Sequence, residues 1–337
     1  MPIETVGSPL LWGGFIAFVL AMLALDLGVF HKRPHEITIR EAGIWSAVWV
    51  ALALVFNAIV YVRFGSERAL EFTTGYVIEK ALSVDNIFVF VVVFATFGIP
   101  GIYQHRVLFW GVLGALVMRA AFIFAGGAFL QRFHWAIYVF GGVLVITGVK
   151  LLLQREVEAH PEKNPVVRLF KRLFPVTHEL RGPKFFVIEN GKRYATPLLL
   201  GLVAVEVTDL IFAVDSIPAI FAITTDPFIV FTSNIFAILG LRSLYFLLAG
   251  IITKFAYLKV GLSFVLVFVG AKMLLMDVYK VPILASLGII AGLLGGSIVI
   301  SLVKTRGSRT PTIASPEVPS RPGAGPIASN PGRAGGE

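Results

Sequence analysis

The chain has 337 residues, of which 57% are hydrophobic and 15% charged, against roughly 25% charged in an ordinary soluble domain. With a mean hydropathy of +0.85, the apolar excess cannot be hidden in a water-soluble core, so a soluble enzyme is excluded and lipid becomes the expected surroundings. Cysteine is absent, which removes disulfides, thiolate metal sites and redox dithiols together. The formal charge of +9 falls mostly in predicted loops, as a charge cluster facing the cytoplasm and not as a nucleic-acid site.

Runs of about 20 mostly apolar residues predict an all-α, polytopic membrane protein with nine spanning helices. They lie at 10–30, 43–62, 74–98, 107–127, 135–153, 198–222, 228–249, 258–276 and 282–303. The first is followed by His31-Lys32-Arg33 without a small-residue cleavage site, and reads as a span and not as a removable signal. Segment 154–194 is a basic loop with several Pro and Gly, and a candidate docking site for soluble partners. A transporter domain is thus expected over 1–303, followed by a disordered cytoplasmic tail over 304–337, rich in Pro, Gly and Ser. With the N-terminus outside, the inner segments hold 20 Lys and Arg and the outer segments 4, which gives an N-out, C-in orientation. Gly288, Gly292 and Gly296, four apart in the last helix, suit close packing, with a second copy as one candidate partner.

Two segments resemble one another. Glu79-Lys-Ala-Leu-Ser-Val-Asp85-Asn86-Ile87 aligns with Asp209-Leu-Ile-Phe-Ala-Val-Asp215-Ser216-Ile217 at an offset of 130. Arg119 then faces Arg242 at offset 123, and Gly148-Val-Lys150 faces Gly270-Ala-Lys272 at offset 122. The drop in offset is read as a longer loop around 99–106 than its counterpart. Helices 3–5 would therefore repeat as helices 6–8. A three-span unit is odd, so the copies must cross in opposite senses, the inverted-repeat plan whose binding site lies near the midplane.

Six carboxylates fall inside predicted spans: Asp26, Glu79, Asp85, Glu206, Asp209 and Asp215. Left unpaired at the bilayer centre, each would cost about 2.5–3.5 kcal/mol on insertion scales. Even with Lys80, Arg119 and Arg242 all counted against them, negative charge is in excess, which favours a cation or protons over a purely structural network. Glu79 and Asp85 point about 120° apart on one helix, so a site needs helices 3 and 6 together. Glu79, Ser83 and Asn86 share a polar stripe, and Glu206 and Asp209 share a face. Asp85, Asn86, Asp215, Ser216, Glu79, Glu206 and Asp209 form a hard-oxygen ligand set suited to Mn²⁺, Ca²⁺ or Mg²⁺. Arg119 and Arg242 either balance these acids until an ion arrives or form static salt bridges. Asp26, outside the repeat, is a peripheral candidate. Pro218 frees the carbonyl of Val214 as a further ligand or simply kinks the helix, and Asn57 and Asn234 read as helix–helix hydrogen bonds.

At these residues the chain resembles the TerC/Alx family, named for tellurium resistance. The first acidic motif is similar over Glu79 to Phe90, the second over Val205 to Ile220, and Phe231 to Tyr245 and Leu25 to His31 follow the same pattern. The resemblance implies a bacterial inner-membrane protein related to the LysE-type transporter superfamily, with roles in manganese export, metal homeostasis and tellurite resistance. Carried over by position, the motif residues are Glu79, Asp85, Asn86, Glu206, Asp209, Asp215 and Ser216. The expectation is a divalent-cation exporter with Mn²⁺ as substrate and no prosthetic group. The alternative is a membrane scaffold of a metal-stress complex that transports nothing; an enzyme is not expected.

Overall fold

The computed structural model describes residues 5–30, 38–133, 135–153, 164–177, 179–189, 191–249, 257–279 and 281–305, with the backbone alone for 26–30, 85, 131, 215 and 305. All of them belong to one compact unit, Met1–Arg306. The tail from 306 onward lies outside the described residues. Four apolar helices open the order: α1 (Pro9–Phe30), α2 (Ile39–Thr96), α3 (Gly101–Arg132) and α4 (Ala136–Leu153). A short helix α5 (Pro165–Leu173) and an antiparallel hairpin β1 (Phe186–Glu189) and β2 (Lys192–Ala195) follow. Then come α6 (Pro197–Phe221), α7 (Pro227–Leu239), α8 (Leu241–Leu248), α9 (Leu258–Leu274) and α10 (Ile283–Thr305). By length and composition α2, α3, α4, α6 and α10 can cross a membrane, and α7 with α8, bent by 41°, makes a sixth if the pair is one span.

Helix occupies all nine predicted apolar runs, but not as nine separate straight rods. The segment 63–73, expected as a loop, is helical on both sides of Gly65, whose φ of 88° and ψ of 177° only glycine adopts cheaply. A straight helix would set Asn57 and Thr73 about 24 Å apart at 1.5 Å per residue. Instead Asn57 Nδ2 donates to Thr73 Oγ1 at 2.8 Å, and the Phe56 and Phe72 rings lie 5.4 Å apart. α2 therefore folds back at Gly65 into two antiparallel arms, 39–64 and 66–96. The predicted helix 228–249 breaks at Gly240. A Cβ there would lie 2.8 Å from Lys80 Nζ and 3.1 Å from Trp49 Cβ. Lys80 Nζ donates to the Ala237 carbonyl at 3.0 Å, occupying an acceptor in the last turn of α7 that the break leaves without its helical donor.

The expected long loop at 99–106 is corrected. The linker is only 97–100, against 222–226 between α6 and α7, and the surplus residues extend α2 and α3. Part of the 154–194 loop is also folded. Asn164 caps α5 by accepting from Val166 N at 2.9 Å, and Phe186 pairs with Ala195 in the hairpin.

α7 is buried at every residue. Its rings pack against those of α1 and the first arm of α2, with Trp12–Phe228 at 5.1 Å and Phe56–Phe236 at 4.9 Å. Asp226 starts α7 by accepting from Phe228 N at 2.9 Å, and also accepts from Thr5 Oγ1 and Val6 N, both at 2.9 Å. Large apolar side chains such as Leu54, Val62, Ile146, Leu153 and Val303 point outward, exposed, as lipid-facing residues do.

Contacts fix helix directions. Between α2 and α7, residues 75, 79 and 80 meet 233, 234 and 237 in rising order, so the second arm of α2 runs parallel to α7. Gly111 and Gly126 of α3 face Val205 and Ile217, so α3 runs parallel to α6. Gly75 faces Ile220 while Asn86 meets Asp209, so the second arm of α2 is antiparallel to α6. α4 and α9 are likewise antiparallel. A Cβ on Gly148 would lie 2.8 Å from Ser263 O, and one on Gly270 would lie 2.7 Å from Gly141 O. Around Gly288, Gly292 and Gly296 nothing lies within 4 Å of an added Cβ, so that face of α10 packs on no described residue of this chain.

Candidate functional site

Where the second arm of α2 crosses α6, four helices contribute polar side chains to one buried cluster. Glu79 and Asn86 come from α2, Arg119 from α3, Asp209 and Ser216 from α6, and Asn234 from α7. None of them is more than 3% exposed. The Arg119 guanidinium lies between the two acids. Nη1 forms an ion pair with Glu79 Oε1 and donates to Ser216 Oγ at 3.1 Å. Nη2 donates to Asp209 Oδ1 at 3.2 Å and Nε to Asp209 Oδ2 at 3.4 Å. Such forked contacts suit the planar guanidinium and would not suit a lysine.

Amides complete the cluster. Asn234 Nδ2 donates to Glu79 Oε2 at 3.0 Å, and Asn86 Nδ2 donates to Asp209 Oδ1 at 3.3 Å. A carboxylate only accepts, so each amide must present its nitrogen. Asn86 Oδ1 and Asn234 Oδ1 are thereby left buried with no hydrogen-bond partner among the described residues. A buried oxygen without a donor is costly, and it is a ready ligand for a cation or a water. Both carboxylates are fully engaged by Arg119 and the amides. Among the described residues no three Asp, Glu or His side chains gather as a metal cluster.

Glu79, Asn86, Asp209 and Ser216, each named from the sequence, do meet. Asn234, read as a simple helix–helix hydrogen bond, belongs to the cluster as well; an amide in the middle of an apolar helix was the signal. Glu206 does not join. Sharing a helical face with Asp209 was expected to aim both acids at one site, but Glu206 is half-buried against α3, where a Cβ on Gly114 would lie 2.0 Å from its Oε1. Ser83 turns away too, donating to the Glu79 carbonyl at 2.8 Å. Arg242 is buried on α8. Asp26, Asp85 and Asp215 lie on helices, but their side chains fall outside the described residues. α6 continues through Pro218 without ending.

Known proteins share this sequence at length. The uncharacterized membrane protein STKORF319 of Myxococcus xanthus is 63% identical over 314 residues, covering 93% of this chain and 98% of its own. Alx of Escherichia coli strain K12, named as a proposed membrane-bound redox modulator, is 49% identical over 307 residues, covering 88% of this chain and 96% of its own. An uncharacterized membrane protein of Rickettsia felis is 40% identical over 293 residues, covering 87% and 97%. No solved structure matches the chain. The model of the integral membrane protein TerC family matches residues 64–309, a stretch that holds Glu79, Asn86, Arg119, Asp209, Ser216 and Asn234. On that match, and on relatives aligned nearly end to end, the chain belongs to the TerC family of integral membrane proteins.

Proposed function

We propose that this protein exports a divalent cation, with Mn²⁺ as the preferred substrate and Ca²⁺ or Mg²⁺ as competitors. It would do so from the bacterial inner membrane, with its N-terminus outside and its C-terminus in the cytoplasm. The observation that carries this reading is the meeting of Glu79 and Asp209, from antiparallel helices, in a buried cluster ringed by amide and hydroxyl groups. Burying two carboxylates is expensive unless positive charge accompanies them. Arg119 supplies it when no ion is present. On arrival a divalent cation takes the carboxylate oxygens from the guanidinium, and the free amide oxygens of Asn86 and Asn234 complete a hard-oxygen set. Asp85, Asp215, Ser216 and Glu206 are carried by the same two helices, α2 and α6.

Alternating access would follow from an inverted repeat of α2 (second arm), α3 and α4 as α6, α7–α8 and α9. Two sets of contacts support it. At offset 130, Asn86 maps to Ser216 and Glu79 to Asp209. The contact Asn86–Asp209 and the shared hold of Arg119 Nη1 on Glu79 and Ser216 are then equivalent pairs. At offset 122, Gly141 maps to Ser263 and Gly148 to Gly270, and the contacts of 2.8 Å and 2.7 Å across α4 and α9 are likewise one contact made twice. With α1, both arms of α2, α7–α8 as one span and α9 included, the chain crosses nine times.

The redox role in the name of the Alx relatives would reach this chain only indirectly. Having no cysteine, it has no thiol to exchange, so a redox or tellurite phenotype follows from the metal it moves. The test is Mn²⁺ flux in proteoliposomes. Asp209→Asn, Asp85→Asn and Asp215→Asn should each bring flux to the protein-free background, and native flux in all three overturns the proposal.

A further inference from the structure

The segment joining α4 to α6 carries a surface that export does not use. α5 is nine residues long, and at about 100° per residue its side chains separate into three faces. One turns inward: Val167 is fully buried, Phe170 packs against the core, and Lys171 Nζ lies 5.7 Å from the ring of Phe97, the residue that ends α2. A second face is apolar and open, with Val166 exposed at 44%, Leu169 at 54% and Leu173 at 66%. Phe174 extends it just beyond the helix. The third face holds Arg168 and Arg172, both exposed, and among the described residues neither makes an ion pair. Arg181 nearby in sequence is different, pairing with Glu189 at 3.3 Å.

Phe97 caps a helix long and apolar enough to cross a membrane, and a helix docked at such an end would lie near the headgroup layer. A short helix at that depth, with an open apolar face beside a basic one, has the composition of an interfacial anchor. Acyl chains would cover Leu169 and Leu173, and headgroup phosphates would meet the two exposed arginines. A soluble acidic partner could neutralise the arginines, but it would have to enter the headgroup layer to reach the leucines.

We infer that α5 binds anionic phospholipid through Arg168 and Arg172 while Leu169 and Leu173 dip into the leaflet, pinning the link between α4 and α6 to the membrane surface. Because the chain has no cysteine, Leu173→Cys can carry a single environment-sensitive fluorophore on the full-length protein. The labelled protein is placed in vesicles of phosphatidylcholine, with and without phosphatidylglycerol. Phosphatidylglycerol should shift the emission to the blue, and spin-labelled phosphatidylglycerol should quench it more than spin-labelled phosphatidylcholine. Arg168→Gln combined with Arg172→Gln should abolish that preference, each arginine being worth about five-fold in local enrichment. Three results would overturn the inference: a label open to aqueous iodide in both vesicles, as a soluble partner's site would be; equal quenching by the two lipids; or a preference that survives the double substitution. Ion flux plays no part in the readout, so its outcome and that of the export test are separable.

Discussion

Arg119 touches both buried acids, so its loss is felt first as stability. Removing one partner of a buried ion pair costs about 3–5 kcal/mol, because the remaining charges keep their desolvation penalty without compensation. Arg119→Gln should therefore melt markedly below the native protein in metal-free detergent. If the acids hold a divalent cation, Mn²⁺ should restore much of the lost melting temperature in this variant and change the native protein less, since there the cation must displace the guanidinium. A melt of Arg119→Gln that Mn²⁺ does not move would show that Glu79 and Asp209 are a structural pair. The double variant Glu79→Gln with Arg119→Gln removes one charge of each sign, and should recover stability while losing most of the response to Mn²⁺. Most of this cluster was legible in the sequence because the bilayer makes each buried polar group conspicuous. The partition of Glu206 from Asp209 was not. Helical spacing puts them on one face, and only the close approach of α3 at Gly114 turns one of them aside.

Among the helices, the contact between α4 and α9 is the most exacting, since glycine lets backbone meet backbone. A valine at 148 would drive its Cβ to 2.8 Å from Ser263 O, and a valine at 270 to 2.7 Å from Gly141 O. Overpacking of this kind costs about 1–3 kcal/mol. Because the two sites are equivalent under the proposed repeat, Gly148→Val and Gly270→Val should lower the melting temperature by similar amounts. Gly142→Val, where nothing lies within 4 Å of the added Cβ, should leave it nearly unchanged. Unequal losses at 148 and 270 would count against the pseudo-symmetry. Apolar run length located the helices correctly but could not reveal their breaks. The reversal of α2 needs one residue of positive φ, Gly65, in a stretch whose charged side chains read as an ordinary loop. The bend at Gly240 depends on Lys80 arriving from a helix about 160 positions earlier in the chain. α5 was missed for a different reason: nine residues give only two and a half turns, too few for a period to stand out among prolines and glycines.

For the molecule as a whole, the number of crossings decides which groups share a side of the membrane. If both arms of α2 and also α9 cross, three spans separate Ser66 from Ile188 and six separate Ser66 from Tyr279. Ser66 and Tyr279 then lie on one side and Ile188 on the other. Contacts at the two ends agree. Arg68 Nη1 donates to Thr224 Oγ1 at 3.5 Å, and Thr5 meets Asp226, joining the N-terminal segment, the turn of α2 and the α6–α7 linker. Tyr245 Oη donates to Gln104 at 2.9 Å and Arg106 lies 5.1 Å from the ring of Phe185, joining the start of α3, the end of α8 and the hairpin segment. All three test positions are exposed, and a chain without cysteine needs no background removed. Single substitutions Ser66→Cys, Tyr279→Cys and Ile188→Cys can be probed in intact cells with an impermeant maleimide. The first two should label from outside and the third only after lysis. Labelling of Tyr279→Cys with Ile188→Cys, opposite to Ser66→Cys, would mean that an odd number of the helices between α6 and α9 fails to cross. The second three-helix unit would then not be an inverted copy of the first, and Glu79 and Asp209 would no longer meet as equivalent ligands of one site.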